Sequence, residues 1–242
     1  MARRVVVTGA GRGFGRAIAE VLTDRDWEVW ATDRDGASLD GTSAARHEVM
    51  DVTDPYSVGA VMDRAASDRG VDAVINNAGI CKLRSWEEHD AGLMKEIYDV
   101  NVVGTLHVSQ AGAKSMIAHG RGGSIVNVVS LAAYKGFPTG IGYAASKGAL
   151  MSLTRSMAIA LGPYKIRVNA VAPGFMDTGT TRRLVQEGMI PGDRLSSPDA
   201  DRRLPGKATP AGAAAVVAVM LDPAFAEVTG QVIASDGGTH FI

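Results

Sequence analysis

The strongest constraint on this chain is the order of its apolar segments. Short runs, rich in β-branched residues and apolar at consecutive positions, alternate with longer stretches of helical spacing. The runs are 3–8 (RRVVVT), 28–33 (EVWATD), 47–52, 71–76 (VDAVIN), 123–129 (GSIVNVV), 166–171 (IRVNAV) and 231–235 (QVIAS). Strands buried on both faces read this way, because neither side of the pleat meets water. Between them, 13–24 carries Ala17, Ile18, Val21 and Leu22 at helical spacing. Asp54-Pro55 supplies an N-cap and a first-turn proline for a helix running to about 69. Further helices are expected over 91–119, 142–162 and 210–221. Strands alternating with helices indicate βαβ units, and right-handed crossovers place helices on both faces of one parallel sheet. The expected architecture is α/β: a doubly wound, seven-stranded parallel sheet in a single domain over 1–242.

Two segments depart from that rhythm. The crossover at 34–45 barely reaches the dozen residues a parallel pair needs, so it should hold a short or irregular helix. Segment 177–209 breaks the alternation, with Gly179, Gly188, Pro191, Gly192, Pro198, Pro205 and Gly206 among charges of both signs, Lys207 included. Long segments of this kind are surface loops or functional lids. Its place beside the motifs below favours a substrate lid inserted before the last helix.

Composition narrows the function classes. A net charge of -1 argues against a nucleic-acid partner, which needs a basic face. The lone Cys81 excludes an intrachain disulfide and fits a reducing compartment. The apolar run Val5-Val6-Val7 is far short of a roughly 7–15-residue signal core, and no apolar stretch approaches the ~18 residues of a membrane span. A cytoplasmic protein without a membrane partner is expected. The five histidines form no metal-ligand spacing and no cysteine pair exists, so no metal is expected; His240 reads as a terminal surface residue. The 29 glycines exceed the ~7% typical of proteins without a collagen period or a linker composition.

Part of that surplus falls in Thr8-Gly9-Ala10-Gly11-Arg12-Gly13-Phe14-Gly15, which follows the first strand and opens the first helix. Glycines let backbone approach a pyrophosphate, and the helix N-terminus offers its N–H groups to the charge. Asp33 ends the next strand, close to the ~20 residues on where a carboxylate meets a ribose 2′-hydroxyl. A carboxylate there repels a 2′-phosphate, whereas Arg12 and Arg34 would attract one. Asp33, at the ribose itself, favours NAD over NADP.

Tyr143 and Lys147 are spaced i,i+4 in YAASK and so share a helix face. A lysine near a phenol favours the phenolate, which lowers the tyrosine pKa toward a useful range. Ser130 ends the fifth strand, on the edge where parallel sheets bind ligands. Alone, each feature is weak. Together with Asn76-Asn77-Ala78-Gly79, Asn101 and Pro173-Gly174, all in order, the pattern resembles the short-chain dehydrogenase/reductase family in its main single-domain branch. The resemblance covers 5–238.

The resemblance implies a Rossmann-like fold and a role for each matching position. Tyr143 resembles the general acid/base, and Lys147 the residue that binds the nicotinamide ribose and depresses the tyrosine pKa. Ser130 would hydrogen-bond the reacting oxygen, and Asn101 would hold a water in the proton relay. For the cofactor, Gly9, Arg12, Gly13, Phe14, Gly15, Asp33 and Arg34 lie at the glycine loop and ribose. Asp51 and Val52 match the adenine contact, and Asn77, Ala78 and Gly79 the adenosine side. Pro173, Gly174, Met176 and Thr178 resemble the loop over nicotinamide. Cys81, Leu131, Ala132, Phe137 and Ile141 fall where a mostly apolar substrate wall is expected, although Cys81 also reads as a small buried hydrophobe. The arginine pairs Arg182-Arg183 and Arg202-Arg203 offer an anionic substrate tail a partner, against balancing acids in the same segment.

The expected function is an NAD-dependent oxidoreductase acting on a secondary alcohol or ketone. An NADPH-dependent ketoreductase of the 3-oxoacyl type and a cofactor-sensing protein without catalysis are the alternatives. A homotetramer, with a dimer left open, is implied through the two long helices. Val102, Val103, Leu106, Leu150, Leu153 and Met157 are the apolar residues expected at that interface.

Overall fold

The structure, a computed structural model, describes residues 2–193, 202–206 and 208–239. Pro198, Lys207 and His240 lie outside the described residues. The strands are β1 (Arg4–Thr8), β2 (Glu28–Asp33), β3 (Arg46–Val49), β4 (Ala73–Asn76), β5 (Gly123–Val128), β6 (Ile166–Pro173) and β7 (Val232–Ser235). They form one seven-stranded sheet in the order β3-β2-β1-β4-β5-β6-β7, with every neighbouring pair parallel. Strand order reverses between β1 and β4, which opens a crevice at the carboxyl ends of those strands.

The consecutive valines of β1 explain the two-sided core. Val5 and Val7 point into a cluster with Ile18 and Leu22 of α1 (Gly13–Thr23) and Val217 of α7 (Pro210–Met220). Val6 points the other way, toward Val58 and Met62 of α2 (Pro55–Ala66), Val108 of α4 (Gly104–His119) and Met157 of α5 (Ile141–Leu161). Helix α4 lies so close to the sheet that a Cβ on Gly112 would come within 2.5 Å of Val74 Cγ2.

Several elements differ from the sequence expectation. Strand β3 leaves the ladder after Val49, although Met50 and Val52 stay buried beneath α2 and α4. The thin crossover holds a single 3-10 turn, Gly36–Leu39, as its glycines suggested. The stretch expected as one helix over 91–119 is α3 (Ala91–Tyr98), a π turn at Asp99–Val103 and α4. Segment 177–209 contains a helix, α6 (Gly179–Gln186), started by a capping box between Thr178 and Thr181. A parallel bridge pairs Met176 with Ala208.

The apolar stripes of the long helices contribute to the core. Leu150 and Met157 are buried within the chain, and Leu106 and Leu153 pack against the same clusters. Val103 remains exposed, as do Ile117 and Ile159.

The amino ends of the strands are closed by charge. Arg4, buried, pairs with Glu28 and Asp68 and donates to the Ala65 carbonyl at 2.6 Å. Arg69 pairs with Glu28, and the Asp72 carboxylate accepts from the Arg4 amide at 2.8 Å and from Arg121 at 2.9 Å. The Arg3 guanidinium lies 4.2 Å over the Trp27 ring. The Arg4 ion pairs hold the Asp68 carboxyl down to about 2.

Candidate active site

At the carboxyl ends of β1 and β4 the backbone is drawn together. Thr8 Oγ1 accepts from the amides of Asn77 and Ala78 at 3.0 Å, and Asn77 Nδ2 donates to the carbonyls of Thr8 and Gly9 at 3.0 Å. Gly9 needs its φ of +63°, and a Cβ there would meet Ala78 Cα at 2.9 Å. Gly15 packs on the Gly9 carbonyl just as closely. At Gly13, also left-handed, an added Cβ would meet Thr178 alone among the described residues, at a van der Waals distance of 3.5 Å, so the start of α1 packs on the segment after β6. Helix α1 has no side-chain cap and no acid in its first turn, which leaves its positive end for an anion.

Asp33 sits against this loop. Its carboxylate accepts from the Gly11 amide at 3.2 Å and from the Asp35 amide at 3.1 Å. Arg12 turns outward into an exposed ion pair with Asp35 at 3.0 Å, and Arg34 is exposed beside it. Asp51 accepts from the Thr53 amide and hydroxyl at 2.9 and 2.7 Å. The Val52 side chain is buried against α2 and α4. Phe14 and Met176 bury their side chains in the core cluster of α1 and α7, so they offer the mouth mainly backbone. Gly174 donates to the Ser235 carbonyl at 3.0 Å beneath Pro173, and an added Cβ would touch Asp236 Cα at 3.0 Å.

The groups expected to do chemistry converge between β4, β5 and α5. Asn101, fully buried, lies in the π turn and clamps the loop after β4. Its Oδ1 accepts from the Ile80 amide at 2.8 Å, while its Nδ2 donates to the Ile80 carbonyl at 3.0 Å and to Ser146 Oγ at 2.9 Å. Ser146 in turn donates to the Tyr143 carbonyl at 2.7 Å. A Cβ on Gly79 would lie 3.1 Å from Asn101 Oδ1 and 3.5 Å from Lys147 Nζ. Lys147 is buried and donates to the Val128 carbonyl at 2.8 Å, with its Nζ 5.7 Å from the Tyr143 ring centre. Ser130 caps the short turn Leu131–Ala133, its Oγ accepting from the Ala132 amide at 3.1 Å.

Electrostatics here differ from the expectation drawn from spacing. Burial raises the Tyr143 phenol above its ordinary value, nearby Cys81 raises it further, and the Ser130 hydroxyl beside it pulls it back. Lys147 is not among the groups that lower it. Removed from water with only a neutral carbonyl partner, the lysine is itself pushed down to about 8. Burial also pushes the Cys81 thiol up to about 11, against the attraction of Lys147 and Arg183. An i,i+4 spacing gives a shared face but carries no measure of desolvation.

Cys81 lies close enough to Tyr143 and Lys147 for their charges to be felt at each other. Leu131 packs on Val129, Leu150, Ala170 and Ala172, so its side chain belongs at least partly to the core. Phe137 covers Gly140, and Ile141 opens α5 largely exposed. Sequence reading missed Ser146, the link between Asn101 and Tyr143. Its signal was a small polar residue three positions after Tyr143, on the helix face turned inward. No cluster able to hold a metal exists among the described residues, and none of their helices is long and apolar enough to cross a membrane.

The chain is similar to known proteins over nearly its whole length. The sequence model of the family described as short chain dehydrogenase matches residues 3–188. The chain is 33% identical to the 3-oxoacyl-(acyl-carrier-protein) reductase FabG of Vibrio cholerae, over 98% of this chain and 97% of that protein. It is 34% identical to the cis-4-hydroxycyclohexanecarboxylate dehydrogenase of Sinomonas cyclohexanicum, over 98% and 96%. The structure of a 3-ketoacyl-(acyl-carrier-protein) reductase from Brucella melitensis complexed with NADH superposes with a TM-score of 0.87 at 28% identity. That match covers 99% of this chain and 98% of the other.

Proposed function

The chain belongs to the short-chain dehydrogenase family, and from that premise we propose that it is an NAD-dependent oxidoreductase for a secondary alcohol or ketone, with Tyr143 as general acid/base. The observation that carries the reading is the convergence of Tyr143, Ser130, Lys147 and Asn101 beside the glycine loop, at the strand edge where parallel sheets take ligands. The relatives named for a 3-oxoacyl substrate and for a hydroxycyclohexanecarboxylate support the substrate class.

The residues present fit a dinucleotide. The end of α1 carries no side-chain cap, leaving its N–H groups to a pyrophosphate, and Asp33 flanks it with a carboxylate suited to ribose hydroxyls. Nicotinamide, when bound, accepts or returns the hydride. The chain's own part is orientation and proton control. With its pKa raised, Tyr143 holds its proton at neutral pH, which is the form that protonates a forming alkoxide. The Ser130 hydroxyl is placed to bond the same oxygen and stabilise its developing charge. Lys147 brings a cation close to the balance point between its two forms. The segment 177–209 acts as a lid over this site, its described part reaching the site through Thr178 and Arg183. We place the protein in the cytoplasm, in keeping with its single cysteine. As a homotetramer it would use exposed Val103, Ile117 and Ile159.

Cofactor choice rests on Asp33, since Arg12 is engaged by Asp35. A panel of secondary alcohols and ketones with each cofactor, followed at the reduced-nicotinamide absorbance, tests both parts. Turnover with NAD favoured is expected, and Asp33→Ala should erase about tenfold of that preference, the loss of roughly one charge-assisted hydrogen bond. Strong NADP preference in the unaltered protein would replace this reading with the NADPH-dependent ketoreductase. Cofactor binding without hydride transfer to any member of the panel would leave a sensing protein.

A further inference from the structure

The loop that follows β4 runs past the reacting groups in a fixed order. Gly79 lies against Lys147 and Asn101, and Ile80 is held at both its amide and its carbonyl by Asn101. Cys81 then turns its carbonyl toward the lid helix, where Arg183 Nη2 stands 3.5 Å away. Asn101 clamps the residue preceding Cys81, so the carbonyl that Arg183 approaches is itself fixed.

The cations nearest to Arg183 in this part of the mouth are engaged. Lys82 contacts both Glu96 oxygens at 2.5 and 2.6 Å. Arg182 forms a two-bonded pair with Asp177 at 2.7 and 3.0 Å. Arg202 donates to the carbonyls of Leu204, Pro205 and Gly206. Arg84 donates to the Leu83 carbonyl at 2.7 Å, and its charge falls on Glu88. Arg183 has only a long contact to Glu187, 3.7 Å, and that single bond to a backbone carbonyl. A guanidinium carries five donors in a rigid fork, so most of its capacity is left over. Its field, like that of Lys147, also reaches the Cys81 thiol.

We propose that Arg183 is a specificity-determining residue that binds a carboxylate on the substrate, making this an enzyme of hydroxy and oxo acids whose reacting carbon lies a few bonds from that carboxylate. The proposal rests on the alcohol/ketone reading above and adds the charge of the substrate to it. Two carboxylate oxygens match the guanidinium fork, while the reacting oxygen lies at Tyr143 and Ser130. Cys81, whose charge interactions reach both Arg183 and Tyr143, keeps the two within a few bonds of one another.

The test uses 3-hydroxybutanoate, 4-hydroxypentanoate and 5-hydroxyhexanoate, each against its neutral carboxamide, with NAD⁺ and the whole protein. At least one acid should exceed its amide in kcat/KM by roughly 10- to 100-fold, the range of a charge-assisted pair. Arg183→Gln should remove that excess, raising KM for the acid by far more than for the amide, and Arg183→Lys should restore part of it. Three results would overturn the proposal: neutral alcohols turned over with no acid preference, Arg183→Gln lowering acid and amide alike, or its effect appearing in the KM for NAD⁺. In each of these the alcohol dehydrogenase reading survives. Absence of turnover for every alcohol and acid removes both.

Discussion

At the amino ends of the strands Arg4 is almost fully buried and reaches Glu28, Asp68 and a carbonyl. At the carboxyl ends Lys147 is buried as deeply and reaches a carbonyl alone. The same operation, taking a cation out of water, has opposite results. Acidic partners at one edge hold every charge in its ordinary state and fix the ends of β1, β2 and α2 together. At the other edge the partner is neutral, and desolvation moves Lys147 toward the pH range where protons are exchanged. Stability and reactivity are thus divided between the two ends of one sheet.

The widest separation should come from Tyr143→Phe. Loss of the proton donor is expected to lower kcat by roughly 10²–10⁴, with NADH affinity and the denaturation midpoint unchanged. A variant retaining near-normal turnover would move the acid/base elsewhere. Arg4→Leu should do the reverse. Removing its guanidinium leaves Glu28 and Asp68 with fewer partners, at a cost of about 3 kcal/mol, the lower end for a broken buried pair because Asp68 is solvated. Urea denaturation would report the loss, and kcat at low denaturant should not move. A change in kcat comparable to that of Tyr143→Phe would mean the edges are coupled.

The smallest effect is in the pH dependence, where each edge answers at its own end of the scale. Asp68 stays ionised in the folded chain to about 2 against an ordinary 3.8, so the folded state resists protonation. Its stabilisation is complete above 3.8 and lost as pH falls through about 2. The difference in midpoint between the unaltered protein and Asp68→Asn should close over that interval. Lys147 releases its proton near 8 when folded and near 10.5 otherwise. The unfolded chain then binds more protons across that window, so stability relative to Lys147→Met should rise from about pH 8 to 10.5. A flat alkaline comparison would show that the lysine is better hydrated than its burial implies.

The sequence carried the sheet because Val5, Val6 and Val7 have no polar alternation, and two-sided burial leaves few other architectures. It also carried the position of Tyr143 and Lys147, since helical spacing is a geometric quantity. The π turn was hidden. One extra residue per turn at Asp99–Val103 leaves the apolar stripe continuous, so 91–119 reads as an uninterrupted helix. Helix α6 was obscured by the glycines and prolines around it, although Thr178 and Thr181 held its start signal. The order of pKa values was out of reach, because it depends on what surrounds Tyr143 and Lys147 rather than on their separation. The same reason separates Arg183 from Arg182. Side by side in sequence, they differ only in which neighbour each guanidinium finds.

The bridge between Met176 and Ala208 bears on what the fold tolerates. It joins the two ends of the segment that leaves β6 and returns to α7, so what lies between is a closed excursion from the sheet. Lengthening such an excursion adds little closure entropy, about 0.6 kcal/mol per doubling. Variants that exchange that stretch, Arg183 included, as a cassette are therefore expected to keep the strands and the glycine loop folded.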